Sequence, residues 1–132
     1  MFIIMLIGKD NTGKTETLNL VYNELLPSSV TIEYKKQLGK QENDFESIIE
    51  YQNKRIAFYT MGDRSRDVCS AMNKYHNKCD ILILACNDKF KNPLKRMKET
   101  DKKVEKTPKD FNKQEKDANE EDKNKIINLI KN

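Results

Sequence analysis

Residues 2–7, Phe-Ile-Ile-Met-Leu-Ile, form an unbroken apolar run that stops at Gly8. An unbroken run suits a strand covered on both faces, as in the middle of a parallel sheet, rather than an alternating, half-solvated strand. The run is too short for a membrane-spanning helix, which needs roughly 20 apolar residues. It also has no basic flank and no small-residue cleavage site, so it does not read as a secretory signal. The elements that follow must therefore cover a buried strand.

They are predicted as follows. Leu18, Val21, Tyr22, Leu25 and Leu26 mark one stripe of a helix from about Lys14 to Leu26, stopped by Pro27-Ser28-Ser29. Val30–Tyr34 is a short β-rich run, and the polar residues 35–44, with Gly39, read as a loop. Residues 47–51 and 55–60 flank Gln52-Asn53-Lys54, which predicts an antiparallel hairpin, with a helix at 43–51 as its rival. Val68, Ala71, Met72 and Tyr75 predict a helix over about 65–77, and Asp80–Cys86 is another fully apolar strand. Alternating strands and helices imply right-handed crossovers and an α/β fold. The expectation is a mostly parallel sheet of four to five strands, one of them able to run antiparallel, with helices on both faces. With 132 residues, the whole chain is read as one domain, 1–132.

Charge separates the last third from the rest. Residues 1–90 carry 12 basic and 12 acidic side chains, while residues 91–132 carry 13 and 9 and so supply the whole net +4. Pro93 and Pro108 break this region, Lys103–Thr107 reads as a short edge strand, and 115–131 as a helix docking through its last two turns. Mixed-sign charge of this kind fits a solvated surface, or a docking surface for a protein partner, better than a nucleic-acid arm. Cys69, Cys79 and Cys86 are odd in number and lack CxxC spacing, which suits reduced thiols in a cytoplasmic protein. The single histidine, His76, has no second ligand at helical or turn spacing, so a Cys/His metal site is not expected.

The chemistry concentrates in residues 8–15, Gly-Lys-Asp-Asn-Thr-Gly-Lys-Thr, which match G-x-x-x-x-G-K-[ST]. A plain glycine turn between strand and helix would not call for Lys14 and Thr15 directly after Gly13. Gly8 and Gly13 permit backbone conformations or approaches that a Cβ forbids. The loop amides can then surround phosphate oxygens, helped by the positive end of the helix that starts near Lys14. Lys14 adds a full charge for the outer phosphates, and the Thr15 hydroxyl is suited to ligate magnesium. Lys9, Asp10, Asn11 and Thr12 are expected to contribute mainly through their backbone. The side chain of Asn11 or Thr12 is within the reach of a terminal phosphate.

On this motif and the strand–helix order to about residue 88, the chain resembles the P-loop nucleoside triphosphate hydrolase superfamily. The resemblance implies a three-layer P-loop fold and ATP with Mg2+ as ligands. It also implies an apolar strand ending in an aspartate that serves the metal. Asp63, closing Ile-Ala-Phe-Tyr-Thr-Met-Gly-Asp, is preferred and Asp88 is the rival, because in many such folds the acidic strand lies beside the P-loop strand. Asp63 could equally cap the next helix. Arg64 and Arg66 follow it, and either could offset charge on a transferring phosphoryl group; a solvated first turn explains them as well. The GTPase N-K-x-D segment is not met by Asn87-Asp88-Lys89-Phe90, and a D-x-x-G switch is missing, so ATP is preferred over GTP.

Three activities stay open. The first is ATP hydrolysis, with Lys14, Asp63 and Arg64 as the catalytic set and Thr15 and Asp63 on the metal. The second is a nucleoside- or nucleotide-type kinase, with 89–106 as a lid carrying Lys95 and Arg96; a basic surface helix is the plainer reading of that segment. The third is a non-catalytic nucleotide-binding module. A chain with such short loops is also a candidate to draw on a second subunit, including another copy of itself.

Overall fold

A computed structural model of the protein describes residues 1–28, 31–40, 43–109 and 113–132. The first apolar run is strand β1, Phe2–Gly8. Its side chains alternate between two separate cores: Ile4 and Leu6 face one, Ile3, Met5 and Ile7 the other. Both are sealed by helices. Helix α1, Lys14–Leu25, places Leu18, Val21, Tyr22 and Leu25 in the first core. Strands β2, Thr31–Gln37, β3, Phe45–Tyr51, and β4, Lys54–Tyr59, follow. Helix α2, Ser65–Tyr75, covers the second core with Val68, Ala71, Met72 and Tyr75. After β5, Ile81–Asn87, come the short helix α3, Lys91–Lys95, and strand β6, Lys102–Glu105. The last element, α4, Glu115–Lys131, adds Ile126, Ile127 and Ile130 beside α1.

The strands form one six-stranded sheet in the order β2-β3-β4-β5-β1-β6. β1 is parallel to β5 and β6, and β4 is parallel to β5, but β2–β3 and β3–β4 are antiparallel. The expected three-layer P-loop fold on a mostly parallel sheet of four to five strands is therefore corrected. The sheet is mixed and has six strands, and two of its five pairings are antiparallel. The physical reason lies in β2 and β3. Nearly every residue of β2 is exposed, so this edge strand carries no apolar alternation, and residues 35–37, read from sequence as loop, extend it to Gln37. The β3–β4 hairpin forms around Gln52 and Asn53, both at positive φ, in place of the rival helix at 43–51. Ser29 of the expected helix stop and Val30 of the expected strand lie outside the described residues.

Parallel pairing brings the C-terminal ends of β1, β4, β5 and β6 to one end of the sheet, with Gly8 opposite Asn87 and Ile7 opposite Glu105. That end is where ligands of open parallel sheets bind. The hairpin is fastened to the same end through α1. Tyr22 packs edge-on against Phe45 (4.7 Å between centroids) and Phe58 (5.1 Å), and its hydroxyl lies 2.9 Å from that of Ser47. Among the described residues no helix is long and apolar enough to cross a membrane.

Candidate functional site

Gly8–Thr15 connects the end of β1 to the start of α1. Gly13 has φ 91°, ψ 23°, a left-handed conformation that a side chain would strain. A Cβ there would also lie 2.6 Å from Oδ1 of Asn119. Gly8 is constrained by space instead, since a Cβ would come within 2.8 Å of the Cβ of Lys106. The loop is thus held between β1 and α4. Its own bonds tighten it: Thr12 donates its hydroxyl to the Lys9 carbonyl (2.7 Å), and Asp10 accepts from Nδ2 of Asn87 (2.7 Å) at the end of β5. Among the described residues, no side chain caps the N-terminus of helix α1.

Lys14 is only 7% exposed. Its ammonium donates to the carbonyls of Gly8 (3.1 Å) and Lys9 (2.6 Å). Burial lowers its pKa from the usual lysine value, an effect opposed by the nearby charges of Asp10, Asp63 and Asp88. The hydrogen-bond partners of Lys14 are two neutral carbonyls, and the aspartates act on it through their charge alone.

Beside Lys14 opens a polar cavity of about 390 Å³. Asn11–Glu16 form one wall; Asn43, Asp44, Thr60, Gly62, Asp63 and Glu115 complete it. Of the residues expected from sequence, Asn11, Thr12, Gly13, Lys14, Thr15 and Asp63 meet here. Gly8, Lys9 and Asp10 support the loop without lining the cavity. Arg64 and Arg66 are exposed and outside the lining. Arg64 is the N-cap residue of α2, with no side-chain cap bond there, so Asp63 does not cap that helix. The adjacency used to prefer Asp63 does not hold, because β5 separates β4 from β1. Asp63 nevertheless reaches the cavity, and Asp88, at the end of the neighbouring strand, does not line it. Lys95 and Arg96 are also outside it. Arg96 donates to Oδ1 of Asn73 (3.1 Å) on α2, so this segment is packed down rather than arched over the site.

The sequence reading did not name as site residues Glu16, Asn43, Asp44, Thr60, Gly62 and Glu115 of the lining, nor Asn119 beside Gly13. Asp44 is 7% exposed, and its Oδ1 accepts from the hydroxyls of Thr15 (3.0 Å) and Thr60 (3.1 Å). The Thr60 hydroxyl in turn accepts from the Phe45 amide (2.9 Å). Asn119 accepts from Thr17 (3.1 Å) on α1. Asp44 lies in a polar stretch without a motif, and Asn119 within the charged sequence 115–125. Neither carries a signal beyond Asp44 standing directly before the apolar start of β3.

The donors at this end are hydroxyl and carboxylate oxygens, which suits a hard divalent cation such as Mg2+ rather than a soft one. Among the described residues no group of three or more His, Cys, Asp or Glu side chains could hold a metal ion. Among the lining residues four carboxylates, Glu16, Asp44, Asp63 and Glu115, face one ammonium, Lys14. A bare polyanion would be repelled there, and one carrying a divalent cation much less so. Of the cysteines, Cys79 and Cys86 are buried, and burial pushes both thiols up to about 11, which keeps them protonated and inert. No family model matches the chain, and no curated protein or solved structure matches it either.

Proposed function

We propose that residues 8–15 bind the triphosphate of a nucleotide, ATP with Mg2+, and that the terminal phosphate is hydrolysed in the adjoining cavity. The observation that carries this reading is Lys14: a buried ammonium resting on two backbone carbonyls at the mouth of a polar cavity, beside an uncapped helix N-terminus. On binding, Lys14 exchanges those carbonyls for phosphate oxygens, a stronger, charge-assisted partner. The first amides of α1 add donors along the same oxygens. Thr15 and the carboxylates Asp44 and Asp63 are the groups that would hold the cation. Bound there, Mg2+ would neutralise phosphate charge and orient the terminal group. The absence of N-K-x-D supports ATP over GTP, and the packed position of Arg96 gives the kinase reading no lid.

Calorimetric titration with a non-hydrolysable ATP analogue and Mg2+ tests this. Lys14→Ala should weaken binding by more than about tenfold, since a charged hydrogen bond is worth about 1.5–3 kcal/mol. Unchanged affinity overturns the reading. Phosphate release from ATP and Mg2+ without an acceptor separates hydrolysis from a binding module.

A further inference from the structure

We propose that Asp44, delivered by the β2–β3 connection, is the carboxylate that orients Thr15 for the divalent cation, in place of an aspartate at the end of a parallel strand. The inference rests on the nucleotide reading above and names the residue through which its cation requirement acts.

The geometry around Thr15 supplies the reason. A hydroxyl has one proton and two lone pairs. Thr15 commits its proton to Oδ1 of Asp44, which leaves its lone pairs free to ligate a cation and fixes the direction in which they point. A neighbouring carboxylate also makes that oxygen a better donor to a metal, in the way hydrogen-bonded partners tune metal ligands generally. Asp63 reaches the same cavity but is exposed, and Asp88 does not line it.

Asp44 is held from four directions. Its own carbonyl accepts from the Leu38 amide (2.9 Å), and its carboxylate from Thr60 on the β4 side. Next to it, the Asn43 carbonyl accepts from Asn19 of α1 (2.9 Å), and Phe45 is buried against Tyr22. Asn19 also donates to the Thr15 carbonyl (2.9 Å), so one side chain clamps the Thr15 backbone and the Asp44 loop together. This buried carboxylate accepts hydrogen bonds from two neutral hydroxyls and lines the cavity that a divalent cation would enter.

Asp44→Asn keeps the size of the side chain and removes the charge. The analogue is titrated calorimetrically into wild type, Asp44→Asn and Asp63→Asn, each with Mg2+ and with EDTA. Wild type should bind more tightly with Mg2+. In Asp44→Asn this gain should shrink by about tenfold or more, the usual scale for a group that positions a metal ligand. Its affinity in EDTA should hold or rise, because one repelling charge is gone. Asp63→Asn, an exposed side chain at the same cavity, should lose less of the gain than Asp44→Asn. Should Asp44→Asn fail to fold, Thr60→Val, which strips Asp44 of one hydroxyl, should reduce the same gain. A full Mg2+ gain in the folded Asp44 variant, or in Thr60→Val if it must stand in, overturns the assignment and leaves the nucleotide reading intact. Loss of the gain in Asp63→Asn alone overturns it as well. If wild type binds the analogue in neither buffer, the nucleotide reading fails and takes this inference with it.

Discussion

The phosphate-loop candidate has two flanks, and they are fastened differently. On the α4 side, Asp122 and Lys106 form an ion pair at 2.9 Å with side chains 0% and 1% exposed. Asp122 also accepts from the amide (2.8 Å) and hydroxyl (2.6 Å) of Thr107. On the hairpin side, Glu46 meets Lys74 of α2 at 2.5 Å and accepts from the hydroxyl of Tyr34, but Lys74 is half exposed. Further out, Glu33 and Arg55 pair at 2.6 Å with both side chains open to water. Geometry alone would rank these contacts as equals. Burial does not. A buried charge that loses its partner stays desolvated and uncompensated, whereas an exposed one is rehydrated. The α4 flank is therefore the stiff wall of the site and the hairpin the compliant one. Asp44 belongs to the hairpin flank, where Thr60, Asn19 and the packing of Phe45 on Tyr22 hold it without a buried ion pair.

The comparison breaks most easily at Lys106. Lys106→Met should cost about 3–5 kcal/mol in urea unfolding, because it takes the buried cation from the Asp122 carboxylate and leaves it the neutral Thr107 and, at 3.7 Å, the half-exposed Lys125. Burial raises the pKa of Asp122, but bonds from Thr107 and Lys106 more than reverse this and hold it below the usual aspartate value. Replacing both partners, Lys106→Met with Asp122→Leu, should recover part of the loss. A cost below about 1 kcal/mol for the single variant, the range of an exposed pair, would erase the distinction between the flanks.

How legible these flanks are in the sequence follows from the same physics. The loop at 8–15 and the strand and helix on either side stand out because an apolar run, a glycine-rich motif and a 3.6-residue stripe are local patterns. The β3–β4 hairpin stands out for the same reason, as two β-rich runs around a polar turn. Asn119 and Asp122 do not. They are buried polar residues inside a densely charged helix, and hydropathy assigns them to solvent; partners outside the helix, Thr17 for Asn119 and Thr107 with Lys106 for Asp122, make the burial tolerable. The extent of β2 is hidden because an edge strand exposed on both faces has no period to read. The strand order is hidden as well. Nothing in the local pattern of β5 states that it inserts between β4 and β1, and so the choice between Asp63 and Asp88 could not be argued from adjacency.

A smaller effect is expected at Glu46. Burial raises its pKa, but hydrogen bonds from Lys74 and Tyr34 outweigh that, and the net shift is downward. A carboxyl whose folded pKa lies below its unfolded value stabilises the fold above the unfolded value, near 4.3, and loses that contribution as pH falls through the folded one. Urea midpoints measured from neutral pH downward should therefore drop on acidification, and Glu46→Gln should flatten part of that drop. At neutral pH the substitution should cost about 1 kcal/mol, since Tyr34 can still donate and the half-exposed Lys74 is screened by solvent. A pH profile identical to wild type would mean that the hairpin is not held through this carboxylate.

The least effect belongs to Glu33. Its carboxylate takes both Nε and Nη2 of Arg55, the geometry usually associated with strong pairing, yet it does so at the open edge of the sheet. Arg55 keeps a second partner in the Lys78 carbonyl (2.6 Å), so removing Glu33 does not free it. Glu33→Gln should leave the urea midpoint unmoved within error, at low salt and at high salt alike, and should leave the Mg2+ gain in nucleotide affinity intact. A clear loss at low salt that vanishes at high salt would show that bidentate geometry outweighs exposure at this edge.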